Sequence, residues 1–306
     1  MSEFSPTDSA LEGFRLAREH PSAMGIWAVI SLVLSLITYA LLLSAAGPQV
    51  AALMDIVTKA QTTPGAPPPD PEAMAALVNA MGTALLPIYP AMLGISLVAN
   101  AVLSGANMRM VLRPEDRSPG YLRFGGDELR ILAVMMVKLI IFFGLTIVGS
   151  LLMGLSAGLL GVAGVLLALL LFFALIAAAV VIAVRLSLAT PQTFAERRIM
   201  LFQSWGLTAG KFGPLLGCYL LTLVLIIVVA IVGSLATAAI TAVIGMIAGA
   251  PPKVDFSSVQ AFFTPLQVVN LVIGSVIGAL TLAIKGSPPA VIYQRLTGGG
   301  NQAIFS

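Results

Sequence analysis

The stretch "ILAVMMVKLIIFFGLTIVGSLLMGLSAGLLGVAGVLLALLLFFALIAAAVVIAV" runs from residue 131 to 184 and carries one charged side chain, Lys138. A helix crosses a hydrocarbon core of about 30 Å with roughly 20 apolar residues, at about 1.5 Å per residue. The run is more than twice that long. It therefore reads as two membrane helices, 131–156 and 159–184, joined by the small residues Ser156–Gly161 in a tight hairpin.

Working outward, the same reading places spans at 24–46, 76–104, 215–245 and 266–285. The expected fold is an all-α integral membrane protein of six transmembrane helices, with residues 1–306 forming a single transmembrane domain. Composition agrees. The chain is 58% hydrophobic and 9% charged, where soluble domains carry about 25% charged residues, and its mean hydropathy is +1.02. The first span is not read as a signal peptide. Its apolar run is long, and Glu3, Asp8, Glu12 and Glu19 spoil a basic leader, although "SAAG" at 44–47 faintly resembles a cleavage site.

Charge distribution then sets orientation. Arg15, Arg18, Arg109, Arg113, Arg117, Arg123, Arg130, Arg185, Arg197, Arg198, Lys211, Lys285 and Arg295 fall on one side of the six spans. Only Lys59 and Lys253 fall on the other, with Lys138 inside a span. The positive-inside rule predicts cytoplasmic N- and C-termini. On the opposite side, Pro48 opens a short helix over 48–62, and "TTPGAPPPDP" at 62–71 forbids regular structure. Asp70 followed by Pro71 starts the next helix, Pro87 and Pro90 kink it, and Phe256, Phe262 and Phe263 are expected at a water–lipid boundary.

Three short segments precede spans one, three and five: "GFRLAREHP" (13–21), "GYLRFGGDE" (120–128) and "SWGLTAGKF" (204–212). Aligned on Phe14, Tyr121 and Trp205, they predict a threefold helix-pair repeat with units 9–114, 118–191 and 193–290. In the first and third units "SALE" (9–12) and "TFAE" (193–196) fit a capping box, which the second unit lacks. From these caps, Ala10, Leu11, Phe14 and Ala17 share one face, as do Ala195, Ile199, Leu201, Phe202 and Trp205. That pattern suits cytoplasmic amphipathic helices lying in the membrane plane. Glycines such as Gly125, Gly126, Gly206 and Gly210 would turn the chain into the following span.

Catalysis requires convergent titratable groups, and few are present. His20 is the lone histidine and reads as a polar helix terminator. Cys218 is the lone cysteine and reads as a buried small hydrophobe. Adjacent Asp127 and Glu128 favour a helix N-terminus over an acid–base pair. "GGG" at 298–300 reads as a tail linker. No catalytic residue, metal or cofactor is therefore expected, and cations spread along one membrane face argue against nucleic acid. A transport role would rest on Lys138 and Asn100, although a long lysine stem can snorkel to the surface. Asn79, Asn100, Asn107, Gln267 and Asn270 read as interhelical hydrogen-bonding groups. The pairs Gly154/Gly158, Gly213/Gly217, Gly245/Gly249 and Gly274/Gly278 read as sites of close helix packing.

The segment "VRLSLATPQTFAERRIMLFQSWGLTAGKFGPLLG" (184–217) carries Arg185, Ser187, Leu188, Ala189, Pro191, Glu196, Ser204, Trp205, Leu207, Thr208 and Gly210. In these residues the chain resembles uncharacterised bacterial polytopic inner-membrane proteins of the YciC-like group. It also resembles the membrane domain attached to some glycerophosphodiester phosphodiesterases. The resemblance implies a bacterial inner-membrane location and a six-span form, and it transfers no catalytic residue. The expected function is non-enzymatic contact with anionic phospholipid, or with a membrane-protein partner or second copy, through a cytoplasmic belt. Arg109, Arg113, Arg185, Arg197 and Arg198 would hold phosphates, with Tyr121 and Trp205 setting depth. The alternative is a permease of a small solute or lipid, with its cavity at Lys138 and Asn100.

Overall fold

The computed structural model describes residues 5–62, 70–116, 118–249 and 254–298. Residues 63–69 of the irregular loop expected at 62–71, Arg117, Lys253 and the end of the "GGG" linker lie outside them. Among the described residues the chain is all-α, with five helices long and apolar enough to cross a membrane. These are α2 (Pro21–Thr62), α4 (Tyr89–Leu112), α5 (Gly126–Arg185), α8 (Phe212–Ala248) and α10 (Pro265–Leu296). The shorter helices are α1 (Pro6–Glu19), α3 (Pro71–Leu85), α6 (Ala189–Glu196), α7 (Ser204–Leu207) and α9 (Val259–Phe262).

α5 contains the run that opened the sequence analysis, and it doubles back on itself. Its 60 residues would extend about 90 Å if straight. Instead Gly161 leaves helical geometry at φ 55, ψ −134, values that a Cβ would strain. Past the turn the two arms touch: a methyl placed on Gly149 would fall 2.7 Å from Leu175 Cδ1, and one on Gly164 only 1.8 Å from the Ser156 carbonyl oxygen. The hairpin thus depends on glycine at its apex and at its closest approach. On both arms large apolar side chains stand exposed, up to 83% at Val162. Water would disfavour such a surface, and hydrocarbon would solvate it.

Boundaries elsewhere follow proline. α2 runs 42 residues but breaks at Ala46 (φ −132), two residues before Pro48, which separates the first apolar segment from the short helix expected after it. The predicted span 76–104 is not one kinked helix. It divides around Pro87 into α3 and α4, so the segment long enough to cross is 89–112. Asp70 caps α3 as expected, accepting from the Glu72 amide at 3.1 Å. α10 does not end near Lys285, because it continues through Pro288 and Pro289 to Leu296.

The described chain forms two compact units. One comprises Met1–His20, Leu97–Ile226 and Leu282–Ser306, and the other Pro21–Ser96 and Ile227–Thr281. In the second unit α3 lies along α2, and Gly47, next to the break at Ala46, abuts the Ser257 carbonyl. Phe262 is buried there, its ring stacked 4.9 Å from Tyr39 and contacting Phe256 and Phe263. It serves as an aromatic core residue and does not face a lipid boundary.

In the first unit Ala10, Val184, Leu188, Leu215, Cys218, Ile292 and Tyr293 form a core that joins α1, the end of α5, the start of α8 and the end of α10. α1 begins a turn earlier than its predicted cap. Ser5 caps it, and Ser9 is buried with its hydroxyl donated to the Ser5 carbonyl at 2.9 Å. Its buried face is Ser9, Ala10, Gly13 and Leu16, while Leu11 points out. Gly13 sits so close to the Ile284 backbone that α1 is docked on α10 through its small residues. Asn107 makes the expected interhelical bonds, donating to the Leu282 carbonyl at 3.3 Å and accepting from Ser287 at 3.4 Å. Of the paired glycines, Gly154, Gly158, Gly213, Gly217 and Gly274 have open space where a Cβ would go, so they do not mediate packing within the chain.

A candidate functional site: the arginine rim of the first unit

Arg109 lies in the last turn of α4, and Arg113 directly follows the helix, its amide donating to the Arg109 carbonyl at 2.9 Å, so the two share a face. Beyond α4 the chain turns through Gly120 (φ 61) and Tyr121 (φ 57), then enters α5 at Gly125. Asp127 and Glu128 occupy the second and third positions of α5. Glu128 reaches back to accept the Gly125 amide at 2.9 Å, the carboxylate arm of a capping box with glycine as the N-cap residue. The absence of a hydroxyl residue at 125 hid this half-box from the sequence reading.

Glu128 and Arg109 form an ion pair with each side chain only 2% exposed. Burial on that scale is costly unless every polar atom finds a partner, and several do. Arg109 donates to the Tyr121 carbonyl at 3.0 Å, and Asp116 lies 3.8 Å from its Nε. The Glu128 carboxylate fits because Gly105 has no side chain: a Cβ there would stand 2.7 Å from Oε1. Arg113 pairs with Asp127 at 3.0 Å, donates to the Phe194 carbonyl at 2.9 Å and lies 4.4 Å over the Phe194 ring. Two arginines thus lock the end of α4 to the start of α5 and to α6.

This geometry changes the roles expected of the belt. Arg109 and Arg113 are engaged with internal carboxylates and carbonyls, Arg109 with its side chain only 2% exposed. Tyr121 is buried, with its ring edge-on to His20 at 5.5 Å, so it does not set depth at a surface.

The predicted in-plane helix over 193–205 does not form. α6 ends at Glu196, and Arg197 takes a left-handed conformation (φ 53). Thr193 is not a helix start either. Buried in the last turn of α6, its hydroxyl accepts the Met200 amide at 3.0 Å and pins the loop that follows. Leu201 is buried, whereas Ile199, Phe202 (65% exposed) and Trp205 (42%) project outward beside exposed Arg197 and Arg198. Among the described residues neither Arg197 nor Arg198 has an ion pair.

The "SWGLTAGKF" segment clasps the end of α5. Ser204 donates to the Arg185 carbonyl at 2.7 Å, Thr208 accepts from the Arg185 guanidinium at 3.4 Å, and that guanidinium lies 5.9 Å from the Trp205 ring. Gly210 (φ 72) then turns the chain into α8. The three segments preceding spans one, three and five therefore adopt three local structures: a 14-residue helix, a three-residue 3-10 turn and a clasp.

Between these parts lies an open cleft of about 730 Å³, lined by Arg109, Arg113, Arg123, Arg130 and Arg197 together with Glu115, Asp116, Asp127 and Glu128. Arg123 pairs with Asp116 at 2.7 Å and Arg130 with Asp127 at 2.8 Å. Lys138 and Asn100 are not part of its lining. Lys138 donates to Thr190 at the start of α6 at 3.1 Å, and Asn100 lies on an exposed face of α4. Compared with known protein families, curated proteins and solved structures, the chain finds no match.

Proposed function

We propose that the chain is a non-enzymatic multi-pass protein of a bacterial inner membrane, with cytoplasmic termini, that holds anionic phospholipid at the 185–205 surface. The observation that carries this reading is the loop 197–205. Two exposed guanidiniums, without an ion pair among the described residues, stand beside Ile199, Phe202 and Trp205, all exposed, while Thr193, Leu201 and Ser204 fix the loop from behind. Apolar side chains that enter the acyl boundary next to cations that meet phosphate are the chemistry of an anionic interface. Arg185 supports Trp205 from beneath. A permease centred on Lys138 and Asn100 draws no support from the open cleft, whose lining contains neither residue.

The test uses the full chain in neutral detergent, titrated with phosphatidylglycerol and read by native mass spectrometry. Replacing Arg197 and Arg198 together with alanine should weaken retention about thirtyfold, from about 1 kcal/mol per interfacial arginine. Retention equal to that of the unaltered protein would refute the reading.

A further inference from the structure

We infer that the arginine-lined cleft of the first unit binds a single phosphate group. Five guanidiniums line it against four carboxylates, and the carboxylates are shared unequally. Asp127 serves both Arg113 and Arg130, Asp116 serves both Arg123 and Arg109, and Glu128 is occupied by Arg109 and the Gly125 amide. Glu115 is exposed and takes no ion pair among the described residues. Three carboxylates thus neutralise four arginines, and the fifth, Arg197, has no acidic partner among the described residues. Planar guanidiniums with donors to spare match phosphate oxygens in bidentate pairs.

Arg197 is the second line of argument. A helix ending on a left-handed residue favours glycine or asparagine, since other residues strain there. α6 instead ends on an arginine at φ 53, and the side chain so placed lines the cleft. Arg123, with more than half of its side chain exposed, can swing from Asp116 toward an incoming anion.

The phosphate could be that of a phospholipid headgroup or a free phosphate ester. The inference deepens the lipid reading in the first case and stands apart from it in the second. The full chain in neutral detergent, at fixed ionic strength, is titrated with inorganic phosphate and separately with dihexanoyl phosphatidic acid by calorimetry. At least one should bind saturably at one equivalent. Arg197→Gly removes the guanidinium and suits the left-handed backbone, and Arg123→Gln is exposed enough to leave folding intact. Each should weaken binding about tenfold, whereas Phe202→Ser, on the lipid-facing loop, should not. Binding of inorganic phosphate identifies a free ligand, and binding of phosphatidic acid alone identifies a headgroup. No saturable binding of either probe overturns the inference. So does equal affinity in Arg197→Gly and Arg123→Gln, or a matching loss in Phe202→Ser.

Discussion

The α5 hairpin and the arginine rim from which it rises are built on opposite rules. On the hairpin arms Leu151, Leu170 and Phe173 stand outward, each more than half exposed. At the rim Arg109 and Glu128 are nearly sealed from solvent. A water-soluble domain would place these residues the other way round. The difference shows which solvent each region is shaped for. Apolar side chains face out where hydrocarbon is the surrounding medium. Charges turn inward where several chain segments meet and each can supply a partner.

Three substitutions test that contrast. The largest effect is expected from Glu128→Ala, which leaves Arg109 buried without its carboxylate and removes the Gly125 cap. Breaking such a pair costs about 3–5 kcal/mol, read as a lowered unfolding midpoint in detergent. Combining it with Arg109→Met should recover most of that loss, because the unpaired charge is gone. An unchanged midpoint in Glu128→Ala would mean that the rim is not held from inside. Next comes Phe173→Arg on the second arm. If hydrocarbon surrounds this position, a mid-helix arginine costs about 3 kcal/mol of insertion, measurable as reduced membrane integration, and full integration would break the contrast from its other side. The smallest is Gly164→Ala, whose methyl would collide with the Ser156 carbonyl at the hairpin's closest approach. Overpacking of this kind costs about 1–3 kcal/mol. Faster hydrogen exchange at 150–170 should follow, and unaltered exchange would show that the arms are not tightly apposed.

Much of the scaffold was legible in the letters, and the places where it was not are instructive. The hairpin turn at Gly161 was bracketed because small residues interrupt two apolar runs each long enough to span. The breaks at Ala46 and near Pro87 carried proline as their marker, although Pro87 divided a helix that was expected only to bend. The caps failed where a local pattern met a tertiary demand. "SALE" and "TFAE" both match the spacing of a capping box, yet Ser9 and Thr193 are buried inside or at the end of helices and bond elsewhere. The belt divides for a related reason. Arg109 and Arg198 look equally basic in sequence, but one is matched by Glu128, nineteen residues on, and the other has no such partner among the described residues.

Hydropathy and proline placement determined by themselves that this is an all-helical chain with several membrane-length helices, because the cost of apolar surface in water is a sum over residues and needs no knowledge of neighbours. Only the tertiary structure decided which arginines are held by carboxylates and which have no such partner among the described residues. That choice depends on carboxylates and carbonyls brought within hydrogen-bonding distance from remote positions, and electrostatic energy falls with separation in space, whatever the separation along the chain.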